Sequence, residues 1–370
     1  MPAHYDDVPP RWQIAMLGNT SAGKTCYIGS FFAFYRRESV GGGHNNSAFT
    51  VMGDALTKGR LANISDDLYR TPPETPDPTD KIVDYKLFLS CDGEDEVIER
   101  ELNLHDHAGE ALGGSSDPVK AAMFDSIIQK LKKADAFMAF LDVSKILSTA
   151  PELIDRETEW ATMHNVLSTV SAKLGRGGDT LPVVLALSKF DMAETGDQRE
   201  KVLAYARGCA ESLNKTRDNF TILICPVSVL KRGLTGQLQR NLLNIPTPFL
   251  FVSAAIILRN AAWHAEQATH HRRQGEAIEE QIRRNKESMR GLFGGLLRRV
   301  ANLRLRFRQV TAIDPAIGRE VKLQENDLEF ADSAIDYLVS EENTRYIELT
   351  HRGNVMDISD YIRSQAEAIS

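Results

Sequence analysis

Residues Gly18-Asn19-Thr20-Ser21-Ala22-Gly23-Lys24-Thr25 fill every fixed position of G-x-x-x-x-G-K-[ST]. This spacing suits phosphate chemistry. The glycines let the backbone wrap a phosphate with successive N–H groups pointing inward. A helix opening at the end of the loop adds the positive end of its dipole to the cradle. Lys24 would reach the β- and γ-phosphates of a nucleoside triphosphate, and Thr25 would give its hydroxyl to Mg²⁺. Cys26, the next residue, is counted with this nucleotide-binding group.

The loop needs a strand before it and a helix after it. Ile14-Ala15-Met16-Leu17 reads as the strand and Tyr27 to Arg37 as the helix. Lys81 to Ser90 reads as a second strand, followed by a hairpin-type turn with an Asp-Gly pair at Cys91-Asp92-Gly93-Glu94. Val97 to His105 is then a third strand, antiparallel to the second. Ala136 to Leu141 and Leu181 to Leu187 read as buried strands, and Thr221 to Cys225 as the last clear one. Helices are expected over Pro118 to Lys133, Pro151 to Leu174, Gln198 to Asn214, and from about Phe249. Two segments read as loops: the Gly41 to Asn46 cluster and the proline-rich Thr71 to Asp80. The pattern predicts an α/β fold, a doubly wound and mostly parallel sheet. It spans residues 11–268, followed by a helical, then mixed α+β extension over 269–370.

The chain has 370 residues, 42% hydrophobic and 26% charged, with a net charge of −7. That is ordinary globular composition. No global basic field argues for nucleic acid. The four cysteines are widely spaced with no C-x-x-C, which suits a reducing, cytoplasmic setting rather than a disulfide frame or zinc site. The polar, proline-containing first twelve residues do not read as a secretory signal. The longest apolar run, Phe249 to Leu258, is too short to span a bilayer.

Downstream of the loop stand Asp106-His107-Ala108-Gly109, Ser188-Lys189-Phe190-Asp191 and Val227-Ser228, each at a strand end. The order of these motifs resembles the Ras-like and translation-factor class of P-loop GTPases, over about residues 11–267. The apolar last helix and long spacers look more like bacterial double-GTPase-type small GTPases. The resemblance implies GTP and GDP as ligands, Mg²⁺ dependence, slow hydrolysis and a switch role for a protein partner. It places Asp106 at the metal, through water, and Gly109 at the γ-phosphate. It gives Lys189 to the base and phosphate loop, and Asp191 to the N1–H and N2–H of guanine, a pair that adenine does not offer. Ser228 falls near the backbone contact to guanine O6.

Three departures qualify the resemblance. Ser188 replaces the usual Asn, which keeps an ATPase as an alternative. The segment Ser39 to Asp80 is long and should hold the switch threonine that ligates Mg²⁺. Thr71, Thr75 and Thr79 are the candidates, with Thr75 preferred. Glu110 stands where Ras-like proteins have the water-orienting Gln. It is read with Lys24 as catalytic, yet its charge repels the γ-phosphate. This favours slow turnover, or an interaction module gated by nucleotide with negligible hydrolysis.

His105-Asp106-His107 does not suit one transition metal, because on a strand the two imidazoles share the face opposite the carboxylate. From Arg259 to Arg308 the chain holds twelve basic and five acidic residues. The stretch 291–308 joins an apolar patch to arginines. Intramolecular packing, a protein partner and peripheral contact with an anionic membrane all fit it.

Overall fold

The computed structural model describes residues 11–38, 49–70, 73–75, 83–92, 97–106, 128–172, 180–232, 237–272, 327, 329–331, 333–339 and 346–369. Nine strands form one sheet in the order β11-β10-β7-β6-β5-β1-β4-β3-β2. At its centre β4 (Val97–Asp106), β1 (Arg11–Leu17), β5 (Ala136–Asp142), β6 (Leu181–Ser188) and β7 (Phe220–Pro226) run parallel. β3 (Val83–Asp92) and β2 (Phe49–Gly53) extend one side antiparallel. β10 (Glu348–His351) and β11 (Asn354–Met356) extend the other.

Every residue of β5, β6 and β7 is buried. This is what parallel strands covered on both faces require, and it explains their continuous apolar runs. The alternation of side chains divides each strand between two cores. Met138, Phe140, Val184, Ala186, Leu223 and Cys225 pack on one face with α1 (Lys24–Glu38) and the helix Thr247–Arg272. Phe137, Ala139, Leu141, Val183, Leu185, Leu187, Ile222 and Ile224 pack on the other, against the helices between β5 and β7. Residues Phe249 to Leu258 are buried throughout. A helix apolar on all sides belongs in a core, and no helix among the described residues is long and apolar enough to cross a membrane.

Three expectations are corrected. Between the two segments read as loops, where no element was expected, stand β2 and the helix α2 (Ala55–Tyr69). Lys81 to Ser90 therefore belongs to the third strand, paired with the fourth from Val83↔Asp106 to Asp92↔Val97. β2 was missed because, as an edge strand, it buries only Phe49 and Val51. The weak amphipathic pattern of α2 hid a good cap, the Asp54 side chain accepting from Thr57 N–H. It also hid a tight crossing, since a Cβ on Gly29 of α1 would run into Ile64 Cγ2.

The helix expected over Pro151 to Leu174 is broken. α3 (Val143–Ser148) precedes it, a 3-10 turn covers Pro151–Leu153, and α4 (Ile154–Glu157) is separated from α5 (Trp160–Ser171). The break falls at Glu159, whose φ of 58° is left-handed. The next helix is α6 (Gly196–Thr216) with a Thr195–Gln198 capping box, then α7 (Thr247–Arg272). The third correction concerns the last strand. β7 is followed by the two-stranded sheet of β8 (Ser228–Arg232) and β9 (Leu238–Leu243).

The hairpin read near Tyr346 is present as β10 and β11, and it joins the main sheet against β7. Residues 327, 329–331 and 333–339 include the helical turns expected near Asp327 to Val339, and Phe330 and Leu338 enter the first core. α8 (Ile358–Ile369) ends the chain's described part and buries Tyr361 and Ile362 there. The basic stretch 291–308 and the Gly41 to Asn46 cluster lie outside the described residues, as does most of the helix expected over Pro118 to Lys133.

Candidate functional site

The loop Gly18 to Gly23 joins β1 to α1, so backbone N–H groups gather at the helix start. Gly18 has φ of 146°, and a Cβ there would lie 2.9 Å from the Phe140 carbonyl oxygen. The neighbouring strand β5 therefore demands glycine. Ser21 takes a left-handed φ of 68° and Gly23 one of 87°. The Lys24 ammonium donates to the carbonyls of Gly18 at 2.8 Å and Asn19 at 3.2 Å. It stands 3.8 Å from Asp106 Oδ1. Thr20 and Ala22 complete the turn, with the Ala22 N–H donating to Asn19 O at 3.1 Å.

Asp106 stands beside Lys24 and Thr25 at the end of β4, paired alongside Met16 of β1. Thr25 Oγ1 donates to its Oδ2 at 3.1 Å. Asp106 is fully buried, and its Oδ1 has no hydrogen-bond partner among the described residues. Burial raises the Asp106 carboxyl and lowers the Lys24 ammonium, each against the attraction of the other. A buried carboxylate oxygen without a donor beside a threonine hydroxyl fits a hard divalent cation. No cluster of three or more His, Cys, Asp or Glu suited to a metal occurs among the described residues. His105 Nδ1 lies 2.8 Å from Asp84 Oδ1 instead. Gly109, Glu110 and His107, with Thr71 and Thr79, lie outside the described residues.

The residues around Lys189 and Asp191 are brought together from more distant parts. β6 ends at Ser188, and Lys189 turns the chain with a left-handed φ of 57°. Lys189 Nζ lies 2.7 Å from Asp142 Oδ2, a buried carboxylate at the end of β5. The other Asp142 oxygen caps α3, accepting from Ser144 N–H at 3.0 Å. Asp191 Oδ1 accepts from Ser228 Oγ at 2.6 Å. Burial raises the Asp191 carboxyl, countered first by this hydroxyl and further by Lys189 and Lys231. The Ser188 hydroxyl donates to the Leu141 carbonyl at 3.2 Å.

A cavity of about 250 Å³ runs along this end, lined by Gly23, Cys26, Lys189, Asp191, Val229 and Leu238 among others. Burial pushes the Cys26 thiol up to about 11, so it is neutral there. Thr75 also lines this cavity, which puts it on the side of Lys189 and Asp191. Ser188, Lys189, Asp191, Cys26 and Gly23 are thus brought together as their motif order implies. Asp142 and the β8–β9 hairpin were not found from sequence. Asp142 carried one usable signal, Asp142-x-Ser144 after an apolar strand, which is a helix-capping pattern. The turn at Glu157 was also missed. Its carbonyl accepts from Asn19 Nδ2 at 2.9 Å and from Lys145 Nζ at 3.0 Å, tying the broken helix to the phosphate loop.

A phosphate loop between β1 and α1, an aspartate at the end of β4 and Lys-x-Asp after β6 define a P-loop GTPase. The Double-GTPase 2 family model matches residues 13–219. The chain belongs to the Double-GTPase 2 family, and guanine-nucleotide binding comes with that membership. Among solved structures, the S. cerevisiae Ski7 GTPase-like domain bound to GTP is similar at 14% identity. The match covers 59% of this chain and 43% of that one, with a TM-score of 0.32. Era in complex with MgGDPNP and nucleotides 1506–1542 of 16S ribosomal RNA is similar at 13% identity. That match covers 68% of each chain, with a TM-score of 0.29. A search of the curated proteins finds no match.

Proposed function

We propose that the chain hydrolyses GTP to GDP and phosphate with Mg²⁺ and serves as a nucleotide-dependent switch for a protein partner. The observation that carries this reading is the corner formed by Lys24, Thr25 and Asp106, with Asp106 Oδ1 buried and, among the described residues, without a donor. Thr25 would hold Mg²⁺ directly and Asp106 through water, and the ion would supply charge neutralisation between the β- and γ-phosphates. Thr75 remains the proposed switch threonine, but it lines the Lys189 and Asp191 end of the cavity here, so serving the metal requires it to swing towards Thr25 and Asp106.

The backbone of Gly18 to Gly23 cradles the phosphates, and Lys24 exchanges its carbonyl partners for phosphate oxygens. Water attacks the γ-phosphorus in line, the bond to the β–γ bridging oxygen breaks, and that oxygen leaves on GDP. Positioning and charge stabilisation carry most of this chemistry. Gly109 is proposed as the sensor of the γ-phosphate, and the charge of Glu110, in place of a water-orienting Gln, makes intrinsic turnover slow, with a partner accelerating it. The partner's surface lies in part on the extension 269–370, and the proposed setting is the cytoplasm, with membrane contact through 291–308 as one mode of docking.

Single-turnover phosphate release from bound GTP tests this reading. Release that requires Mg²⁺ and disappears in Lys24→Ala supports a hydrolase. Stable GTP over hours, with partner capture only in the GTP form, replaces it by an interaction module, the reading that Glu110 favours. Equal displacement of labelled GTP by ATP and by GTP refutes guanine selectivity.

A further inference from the structure

The β8–β9 hairpin carries an irregularity at the base end. Ser228 pairs with Leu243, but Leu230 pairs with Arg240. Asn241 and Leu242 therefore oppose the single residue Val229, which is the geometry of a β-bulge. A bulge breaks the alternation of side chains and re-aims one of them. Here the re-aimed side chain is Asn241. Its Nδ2 donates to Ser228 Oγ at 3.1 Å, and Ser228 Oγ donates to Asp191 Oδ1 at 2.6 Å. The competing acceptor for the Ser228 proton, the Leu230 carbonyl, is farther at 3.4 Å.

A hydroxyl has one proton and two lone pairs. With the amide donating into one lone pair, the proton is directed to the carboxylate, the stronger acceptor. Ser188 gives no help here, because its hydroxyl is turned to the Leu141 carbonyl.

We propose that Asn241 is a positioning residue for guanine selection, acting through Ser228 to fix the Asp191 carboxylate. The proposal rests on reading Asp191 as the group that binds the base. With Oδ1 anchored by Ser228 and the carboxylate also held by the Asp191 N–H, the carboxylate plane is set to meet two base N–H donors. The charged groups facing Asp191 are Lys189 from its own turn and Lys231 from β8. Neither replaces the directional hold of the hydroxyl.

The experiment uses the full chain and three diphosphates: GDP, IDP, whose hypoxanthine lacks the 2-amino group, and XDP. Affinities are measured for wild type, Asn241→Leu, Asn241→Asp, Ser228→Ala, the Asn241→Leu/Ser228→Ala pair, and Asp191→Asn. Asn241→Leu is expected to weaken GDP about tenfold, the scale of one hydrogen bond to a charged group, and IDP less. Guanine-over-hypoxanthine preference then narrows. Asn241→Asp should cost more, because a carboxylate there accepts the Ser228 proton that Asp191 needs. The double variant should match Ser228→Ala alone, as coupled members of one chain do. Equal weakening of GDP and IDP marks a structural role and overturns the proposal. So does unchanged GDP affinity, or additive effects in the double variant. If wild type prefers no guanine nucleotide, or Asp191→Asn does not shift preference towards XDP, the reading of Asp191 itself fails. That result is distinct from a failure of Asn241 alone.

Discussion

The phosphate end and the base end of this site are built in opposite ways. At the phosphate end, Gly18 to Thr25 are consecutive, and Asp106 of β4 joins Thr25 from 81 positions away. At the base end, Asp191 meets Ser228 across 37 positions, Lys189 meets Asp142 across 47, and Asn241 arrives on a separate hairpin. The contrast teaches where each function can be lost. A local loop fails by changes within it, whereas an assembled pocket also fails by changes in the elements that bring its parts together.

The largest expected effect separates the two ends. Lys24→Ala should weaken GTP and GDP about 100-fold or more, the scale of losing a charged hydrogen-bond partner on two phosphates. Inosine and xanthosine nucleotides should fall by the same factor, measured by displacement of a fluorescent nucleotide. A loss confined to guanine would break the division.

Asp191→Asn should do the reverse. Guanine affinity falls by about 30- to 100-fold, the worth of a charge-assisted pair, while xanthine nucleotides gain, because an amide donates to the xanthine oxygen. Phosphate-end variants should produce no such exchange.

Removal of Mg²⁺ by chelator sharpens the phosphate end. GTP affinity should drop about tenfold, the scale of one charge-assisted contact. In Thr25→Ala the drop should be smaller, since one proposed ligand is already gone. An equal chelator effect in wild type and variant would remove Thr25 from the metal.

The smallest effect tests how far the base end leans on the C-terminal strands. His351 of β10 lies 2.8 Å from Thr221 Oγ1 of β7, whose far end leads to Ser228. Burial, with Arg352 nearby, lowers the His351 imidazole to about 4 from an ordinary 6.5. A base with a depressed folded-state pKa gives its full stability above the unfolded value, and loses it as pH falls. Stability should therefore decline from about pH 6.5 to about pH 4, with a difference in Tm of about 2–4 °C. His351→Gln should flatten this slope in thermal unfolding. A slope unchanged in that variant would place the acid sensitivity elsewhere.

Much of the fold was legible because burial leaves a period. β5, β6 and β7 are apolar throughout, and parallel strands sandwiched between helices must be. β2 was not legible, since its outer face is exposed and Met52 is 56% accessible. The break at Glu159 was hidden because the apolar spacing continues through it, and only a left-handed residue stops the helix.

The sequence by itself determined the phosphate loop with its flanking strand and helix, and it named Asp191 as the proposed base reader. Those depend on neighbours within one turn or one strand. The tertiary structure decided which side chains surround Asp191 and Lys189. Register and a β-bulge bring Ser228 and Asn241 to Asp191, and strand order brings Asp142 to Lys189. Such contacts form between segments whose separation in the chain carries no period, so only packing of the sheet fixes them.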